Sequence, residues 1–438
     1  MKGVVLSMND IRHSVQLDTE KCKGCTNCIK TCPTQAIRVR NGKAKILDDR
    51  CIDCGECIRV CPYHAKKAIT DSFDALNKFK YNIAIPAPTL YGQFAEANDI
   101  NVILNGLLHV GFDDVYEVAY AAEIITKETL RLRATNVLEK PIINSACPAV
   151  VKLISTRFPN LINNIMPVIS PMQLAGKLAK EKAVEEKGLN ADDIGVFFIT
   201  PCAAKATCSQ YPIGLDSSFV DGAISIKDVY LKILPHLKKT ENLKPLSRAG
   251  FGGISWATSG GEASGAEKSN YIAVDGIHNV LKILDEIDND KLQDIDFIEL
   301  LACTGGCVGG PLTVENAFVA KRRVKRLATE CSEDDTGVVI QEKDIPNVLW
   351  NAPLPYVSKL NLDDDMFEAM RKLSLIEEIY ETLPKLDCGS CGSPSCRCLA
   401  EDIVRGYTTE DSCIVRFKEK ILSLAHSIES AEQNNNIM

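Results

Sequence analysis

The sequence predicts a chain built around a central α/β domain with parallel sheets, flanked by a small cysteine-rich domain at each end. Two observations predict this. The 19 cysteines fall into three zones: eight between 22 and 61, six scattered from 147 to 331, and five between 388 and 413. In the middle zone, strand-length apolar runs (YNIAIP, IGVFFI, FIELLA) alternate with longer, helix-like segments such as AVVKLISTRF. Alternation of that kind favours parallel strands covered by helices. At 438 residues the chain has room for two to four domains, since a domain usually takes about 100–200 residues. The boundaries expected are 1–75, 76–375 and 376–438.

Composition narrows the class. Hydrophobic residues make up 45% and charged residues 25%, close to the globular average. The net charge of −8, from 50 basic and 58 acidic residues, argues against nucleic acid as the main partner. The one basic block, KRRVKR at Lys321–Arg326, reads as a solvated helix face. The opening MKGVVLSMND has no long apolar stretch and no window approaches the ~18 apolar residues that span a bilayer. The expectation is therefore a cytoplasmic protein with no membrane partner. Cysteines clustered as C-x2-C in a long chain of this kind bind metal more often than they form disulfides.

The first zone is an internal repeat. KCKGCTNCIKTCP (Lys21–Pro33) and RCIDCGECIRVCP (Arg50–Pro62) both read C-x2-C-x2-C-x3-C-P. This resembles the bacterial two-cluster ferredoxin pattern, in which the fourth cysteine of each run ligates the other cluster. The resemblance implies an α+β ferredoxin domain with two 4Fe-4S clusters, one on Cys22, Cys25, Cys28 and Cys61, the other on Cys51, Cys54, Cys57 and Cys32. Three thiolates on a tight loop can wrap one face of a cubane, and the fourth arrives from elsewhere. His64, just beyond Cys61, is expected at the surface.

In the middle zone the strand-like runs end in chemistry. PIIN leads into SACP, VFFIT into PCAAK, and IELLA into CTGGCVGG. Ligands of open α/β sheets collect at the carboxyl ends of strands, so these turns can converge on one site. Its candidate cysteines are Cys147, Cys202, Cys303 and Cys307. Gly305 and Gly306, between the last two, let the backbone approach a bound group.

The final zone carries C-x2-C-x4-C, sixteen further residues and another cysteine. Cys388, Cys391, Cys396 and Cys413 make a third candidate site, with LAEDIVRG as a short helix between the last two. Four thiolates hold zinc readily; a 4Fe-4S cluster is favoured because electron carriers are expected at the other end of the chain. Cys208, Cys331 and Cys398 are left over as free thiols.

SACP, TPCAAK and ELLACTGGCVGG resemble the three signature segments of the catalytic domain of FeFe hydrogenases, usually TSCCP, MPCxxKKxE and ExMACxxGCxxGG. GFDDVYEVAYAAE (Gly111–Glu123) resembles that domain's GFDxVFDTxFxAD stretch, so the likeness covers about residues 20–320. The C-terminal pattern resembles a small cluster-binding module of other anaerobic iron-sulfur proteins. The whole is most similar to the divergent branch called group D, a branch associated with hydrogen sensing. The resemblance implies an H-cluster: a 4Fe-4S cubane on Cys147, Cys202, Cys303 and Cys307, with Cys307 bridging to a di-iron subsite that bears CO, cyanide and an azadithiolate. It implies reversible interconversion of dihydrogen with protons and electrons, relayed by the accessory clusters. Lys205 takes the place of the lysine that pairs with a cyanide ligand, and Pro86, Ala87 and Pro88 that of a pocket wall. The partners implied are a redox protein such as a ferredoxin, or a signalling protein, together with hydrogenase maturation proteins. The oligomeric state is left open, a homodimer included.

The departures are as informative. Ala146 stands where the family has its proton-relaying cysteine, and a methyl group transfers no proton. Thr129, Leu132 and Cys208 fall where the relay has glutamates, and Thr200 and Leu301 where methionines line the site. One expectation is a slow, hydrogen-sensing hydrogenase, since a lost acid–base relay costs about 10²–10⁴-fold in rate. Another is a different proton route, through Cys208, Glu262 or ordered water. Two further classes stay open: a non-catalytic iron-sulfur scaffold without the di-iron subsite, and an electron-transfer protein whose middle domain only docks partners.

Overall fold

In the computed structural model, residues 13–135, 137–238, 241–264, 270–334, 346–354 and 362–435 are described. The opening MKGVVLSMND lies outside them. The chain forms two compact units: unit 1 is Met1–Gln16, Ile52–Gly55 and Ala68–Val357, and unit 2 is Leu17–Cys51, Glu56–Lys67 and Ser358–Met438. The C-terminal cysteine segment and most of the N-terminal repeat thus share one unit. In chain order the strands of the described residues are β1 (Val15–Leu17), β2 (Ile37–Arg40), β3 (Lys43–Ile46), β4 (Lys66–Ala68), β5 (Tyr81–Pro86), β6 (Asp114–Val115), β7 (Ile142–Ile143), β8 (Ile194–Thr200), β9 (Gly222–Ser225), β10 (Tyr271–Asp275) and β11 (Phe297–Leu301).

Unit 1 contains two parallel sheets, ordered β6-β5-β8-β9 and β10-β11-β7. Every residue of β8 is buried, as expected of a parallel strand covered on both faces. Its alternation feeds two cores. Phe197 and Ile199 pack with Leu90, Ile103 and Leu107, whereas Val196 and Phe198 pack with Ile85, Met172 and Leu174. The helix Pro171–Lys187 supplies part of that second cover. It starts on Ser170, whose hydroxyl accepts from the Gln173 N–H, with Pro171 in its first turn, and ends at Gly188 in the left-handed conformation (φ 65°), so side chain, proline and glycine each fix one boundary.

A third core lies against β11. Ile298 and Leu300 pack with Val150, Leu153, Ile154, Val280 and Leu284. Because strand side chains alternate, Phe297, Glu299 and Leu301 face the other way. Glu299 is 1% exposed, a charged residue type on an otherwise apolar strand. KRRVKR lies in the helix Ala317–Asp334, with Val324 buried and Arg322, Lys325 and Arg326 exposed, the solvated face expected.

Unit 2 has the small parts of the repeat: the antiparallel pair β2–β3 and the one-turn helices Asn27–Lys30 and Glu56–Arg59. The helices Met366–Thr382 and Cys396–Val404 bury Ile376, Leu399 and Ala400 together with Cys396 and Cys413.

Candidate functional site

In unit 1 each candidate cysteine follows a strand. Cys147 comes after β7 and caps the helix Pro148–Arg157. Cys202 comes after β8; its N–H donates to Thr200 Oγ1 (3.2 Å), and that hydroxyl donates to the Cys202 carbonyl (2.9 Å). Cys303 and Cys307 follow β11. Two glycines bring this last turn in. Gly306 has φ 97°, and a Cβ there would lie 2.5 Å from the Ser259 nitrogen; one on Gly310 would lie 2.3 Å from the Pro201 carbonyl. Leu312 N–H donates to that same carbonyl (2.9 Å). The Cys307 turn is thereby held against the segment that presents Cys202.

The electrostatics agree with convergence. Burial pushes the Cys202 thiol well up and the Cys307 thiol to about 12; Lys205 pulls both down, while the neighbouring cysteines push them up. Lys205 lies one turn beyond Cys202 in the helix Ala203–Cys208. Burial alone would pull its ammonium down, but the thiols of Cys307, Cys202 and Cys147 hold it above its ordinary value. Its Nζ donates to the Ala146 carbonyl at 3.0 Å.

Ala146, Lys205 and Cys307 line one cavity. Its walls are mostly apolar, among them Ala87, Pro88, Met172, Phe198 and Leu301; two carboxyls, Glu262 and Glu299, also line it. Glu262 accepts from Asn144 Nδ2 (2.8 Å), and Asn144 Oδ1 accepts from the Leu300 N–H (2.8 Å). Glu299 accepts from the N–H groups of Gly260 (3.0 Å) and Ala263 (2.8 Å). Burial pushes both carboxyls up from the ordinary glutamate range; for Glu262 the neighbouring Glu299 pushes the same way.

Other sequence-singled residues lie elsewhere. Thr129 and Cys208 are buried but are not among the cavity's lining residues; burial raises the Cys208 thiol to about 11. His64 is exposed, in a left-handed turn. Cys398 is a buried thiol that donates to Gln35 Oε1 (2.9 Å). Glu299 is the residue that sequence reasoning left without a role. Its signal was present, a lone acid in the apolar run FIELLA.

In unit 2, Cys22, Cys25, Cys28 and Cys61 line a single cavity, together with Val39, Ala44 and Lys66. Ala44 N–H donates to Cys22 Sγ (3.4 Å) and Ala65 N–H to Cys61 Sγ (3.3 Å). Of the second foursome, Cys32, Cys51 and Cys57 belong to unit 2 and Cys54 to unit 1. Cys391, Cys396 and Cys413 share one packed cluster, while Cys388 is exposed. The loop between Cys388 and Cys396 rests on β2: Val39 N–H donates to the Gly392 carbonyl (2.8 Å) and Arg40 Nη1 to the Cys391 carbonyl (2.9 Å). A Cβ on Gly392 would sit 1.9 Å from the Val39 oxygen. Beneath it the buried Asp402 accepts from Arg38 Nε (2.6 Å), Arg40 Nη2 (2.8 Å) and the Ser393 hydroxyl (2.7 Å).

Residues 80–233 and 235–311 match the family described as "Iron only hydrogenase large subunit, C-terminal domain". The chain belongs to that hydrogenase family. Residues 14–62 match a 4Fe-4S dicluster domain, and 383–415 an Fe-S cluster family. This is a divergent FeFe-hydrogenase-like iron-sulfur protein of the oxidoreductase kind, with an N-terminal ferredoxin domain. Over 417 residues it is 26% identical to iron hydrogenase 1 of Clostridium pasteurianum, covering 74% of this chain and 72% of that one. It is 25% identical to the periplasmic Fe hydrogenase large subunit of Nitratidesulfovibrio vulgaris, covering 69% and 86%. It is also 25% identical to the cytosolic Fe-S cluster assembly factor NAR1 of Scheffersomyces stipitis, over 36% of this chain and 34% of that one. A solved FeFe-hydrogenase of Chlamydomonas reinhardtii overlaps 59% of the chain at 17% identity, with a TM-score of 0.44. Among the described residues, no helix is long and apolar enough to cross a membrane.

Proposed function

We propose that the chain is a hydrogenase that interconverts dihydrogen with protons and electrons at an H-cluster, turns over slowly, and serves to register hydrogen. The observation that carries this is the single cavity onto which Cys307, Lys205, Ala146, Glu262 and Glu299 all open. Its donor set fits the group. Cys147, Cys202, Cys303 and Cys307 would hold the cubane, and the apolar cavity beside Cys307 would take the di-iron subsite with its CO, cyanide and azadithiolate. When bound, that group supplies the redox chemistry of dihydrogen.

The chain's own residues do the rest. Lys205, kept charged by the surrounding thiols, offers a point-charge donor to an anionic ligand such as cyanide. The apolar walls exclude water and so strengthen that interaction. Ala146 moves no proton. Protons are exchanged instead at the carboxyls of Glu262 and Glu299, buried groups whose raised values suit acid–base work near neutrality. The accessory sites relay electrons: two 4Fe-4S clusters on the N-terminal cysteines and one on Cys388, Cys391, Cys396 and Cys413. The partners are a ferredoxin or a signalling protein, the maturation proteins that install the subsite, and a cytoplasmic, anaerobic setting.

Infrared spectroscopy after coexpression with maturation enzymes tests this. Metal-bound CO and cyanide bands that shift under hydrogen are expected, with turnover below that of hydrogenases carrying the relay cysteine and raised in Ala146→Cys. A second reading, a non-catalytic scaffold, draws on Ala146 and on the similarity to the assembly factor. The absence of those bands after maturation would favour it.

A further inference from the structure

The two cysteine runs fold alike in detail. In the first, Ala36 N–H donates to Cys32 Sγ (3.2 Å), Gln35 N–H donates to the Cys32 carbonyl (3.1 Å), and Gln35 sits at φ 52°. In the second, Ala65 N–H donates to Cys61 Sγ (3.3 Å), His64 N–H donates to the Cys61 carbonyl (3.1 Å), and His64 sits at φ 49°. The next residue is therefore structurally equivalent in the two copies. It is Ile37 in one and Lys66 in the other, and both are buried, at 2% and 4% exposure.

An isoleucine is at home in such a place; a lysine is not. The Lys66 ammonium has no hydrogen-bond partner among the described residues, and an isolated buried charge is costly unless something offsets it. Lys66 lines the cavity of Cys22, Cys25, Cys28 and Cys61. The orphaned charge therefore faces the first of the two N-terminal sites. An anionic four-thiolate iron-sulfur group is the counter-charge that such an ammonium lacks.

We infer that Lys66 tunes the N-terminal iron-sulfur site of Cys22, Cys25, Cys28 and Cys61, placing a buried positive charge beside that site which makes it easier to reduce. The inference rests on the two runs being 4Fe-4S ligands and is independent of the hydrogen chemistry. Reduction takes one electron from a one-electron donor, makes and breaks no bond, and adds negative charge to an already anionic group. A buried positive charge stabilises the reduced form more than the oxidised one, and net local charge is one of the levers on such potentials. The first repeat, with Ile37, shows the same scaffold without the charge.

The test is a redox titration of the full chain, with its iron-sulfur clusters reconstituted anaerobically and the di-iron subsite left uninstalled. Dithionite is the titrant and electron paramagnetic resonance the readout. Lys66→Ile reproduces the first repeat, and Lys66→Met keeps an unbranched side chain should the isoleucine disturb packing. In either, the site of Cys22, Cys25, Cys28 and Cys61 should become harder to reduce by about tenfold or more in its equilibrium, about 59 mV for a one-electron couple. Lys66→Arg should stay near the wild type. Unchanged potentials in both neutral variants, with clusters intact, would overturn the inference. So would failure of both neutral variants to take up N-terminal clusters, since the lysine would then serve assembly rather than potential. Because hydrogen turnover is not read, failure of the hydrogenase proposal would show in the infrared bands and leave this result standing.

Discussion

The two units place cysteines in opposite ways. Unit 2 keeps most of its thiols in tight local runs, three from one short loop meeting Cys61 from the other run. Unit 1 draws four thiols spread from residue 147 to 307 to the ends of β7, β8 and β11, so its candidate site exists only once both parallel sheets have formed. A locally encoded site tolerates rearrangement elsewhere, whereas a site assembled by topology also acquires neighbours, such as Glu262, that lie outside its cysteine segments.

The sharpest way to break this comparison is Cys307→Ala. Complete loss of the CO and cyanide infrared bands is expected, with the unit 2 paramagnetic signals retained; loss of both sets would show that the two kinds of site are not separable. Next comes Glu262→Gln, which removes the buried carboxyl proposed to exchange protons. Turnover of the matured chain should fall by about 10²–10⁴-fold, and an unchanged rate would redirect the proton route. The same variant has a pH signature. Because burial raises Glu262 and Glu299 in the folded chain, the folded form keeps protons that the unfolded chain releases near pH ~4.3. Stability of unit 1 therefore falls as pH rises from that point through the raised folded values, and levels off above them. Denaturation curves across this range should be flatter for Glu262→Gln.

Asp402→Asn should act on unit 2 alone. Removing the carboxylate leaves Arg38 and Arg40 without their shared counter-charge, and breaking a buried ion pair in this way costs about 3–5 kcal/mol. Chemical denaturation should show that loss in unit 2 while the unit 1 infrared bands persist. The smallest effect belongs to Trp256→Phe. It deletes one hydrogen bond, from Trp256 Nε1 to Thr126 Oγ1 (2.9 Å), and should cost about 0.5–1.5 kcal/mol in unit 1.

What the sequence made legible follows the same divide. The ligand runs of unit 2, the strand-to-cysteine turns of unit 1 and the solvated KRRVKR face all depend on residues near one another in the chain. The short IPAPT match was weak as a pattern, yet Ala87 and Pro88 line the cavity, because β5 runs beside β8 in the same sheet. Glu299 opens the segment ELLACTGGCVGG, but the pattern gave it no role, because one acid in an apolar strand can face either side until the strand is placed in its sheet. Lys66 was masked by a pattern that specifies cysteines and prolines and is silent about the position after the alanine. The contact of the C-terminal loop with β2 joins residues some 350 apart, and no local signal announces it.

Val39 is a wall with two sides. Its side chain lines the first cysteine cavity, and its backbone N–H is taken up by Gly392. The Cys388–Cys396 loop therefore covers the edge of the strand that walls the first cavity. A proteolytic cut ahead of Leu383 that released this segment would strip that N–H of its acceptor and bare that edge of β2 to water.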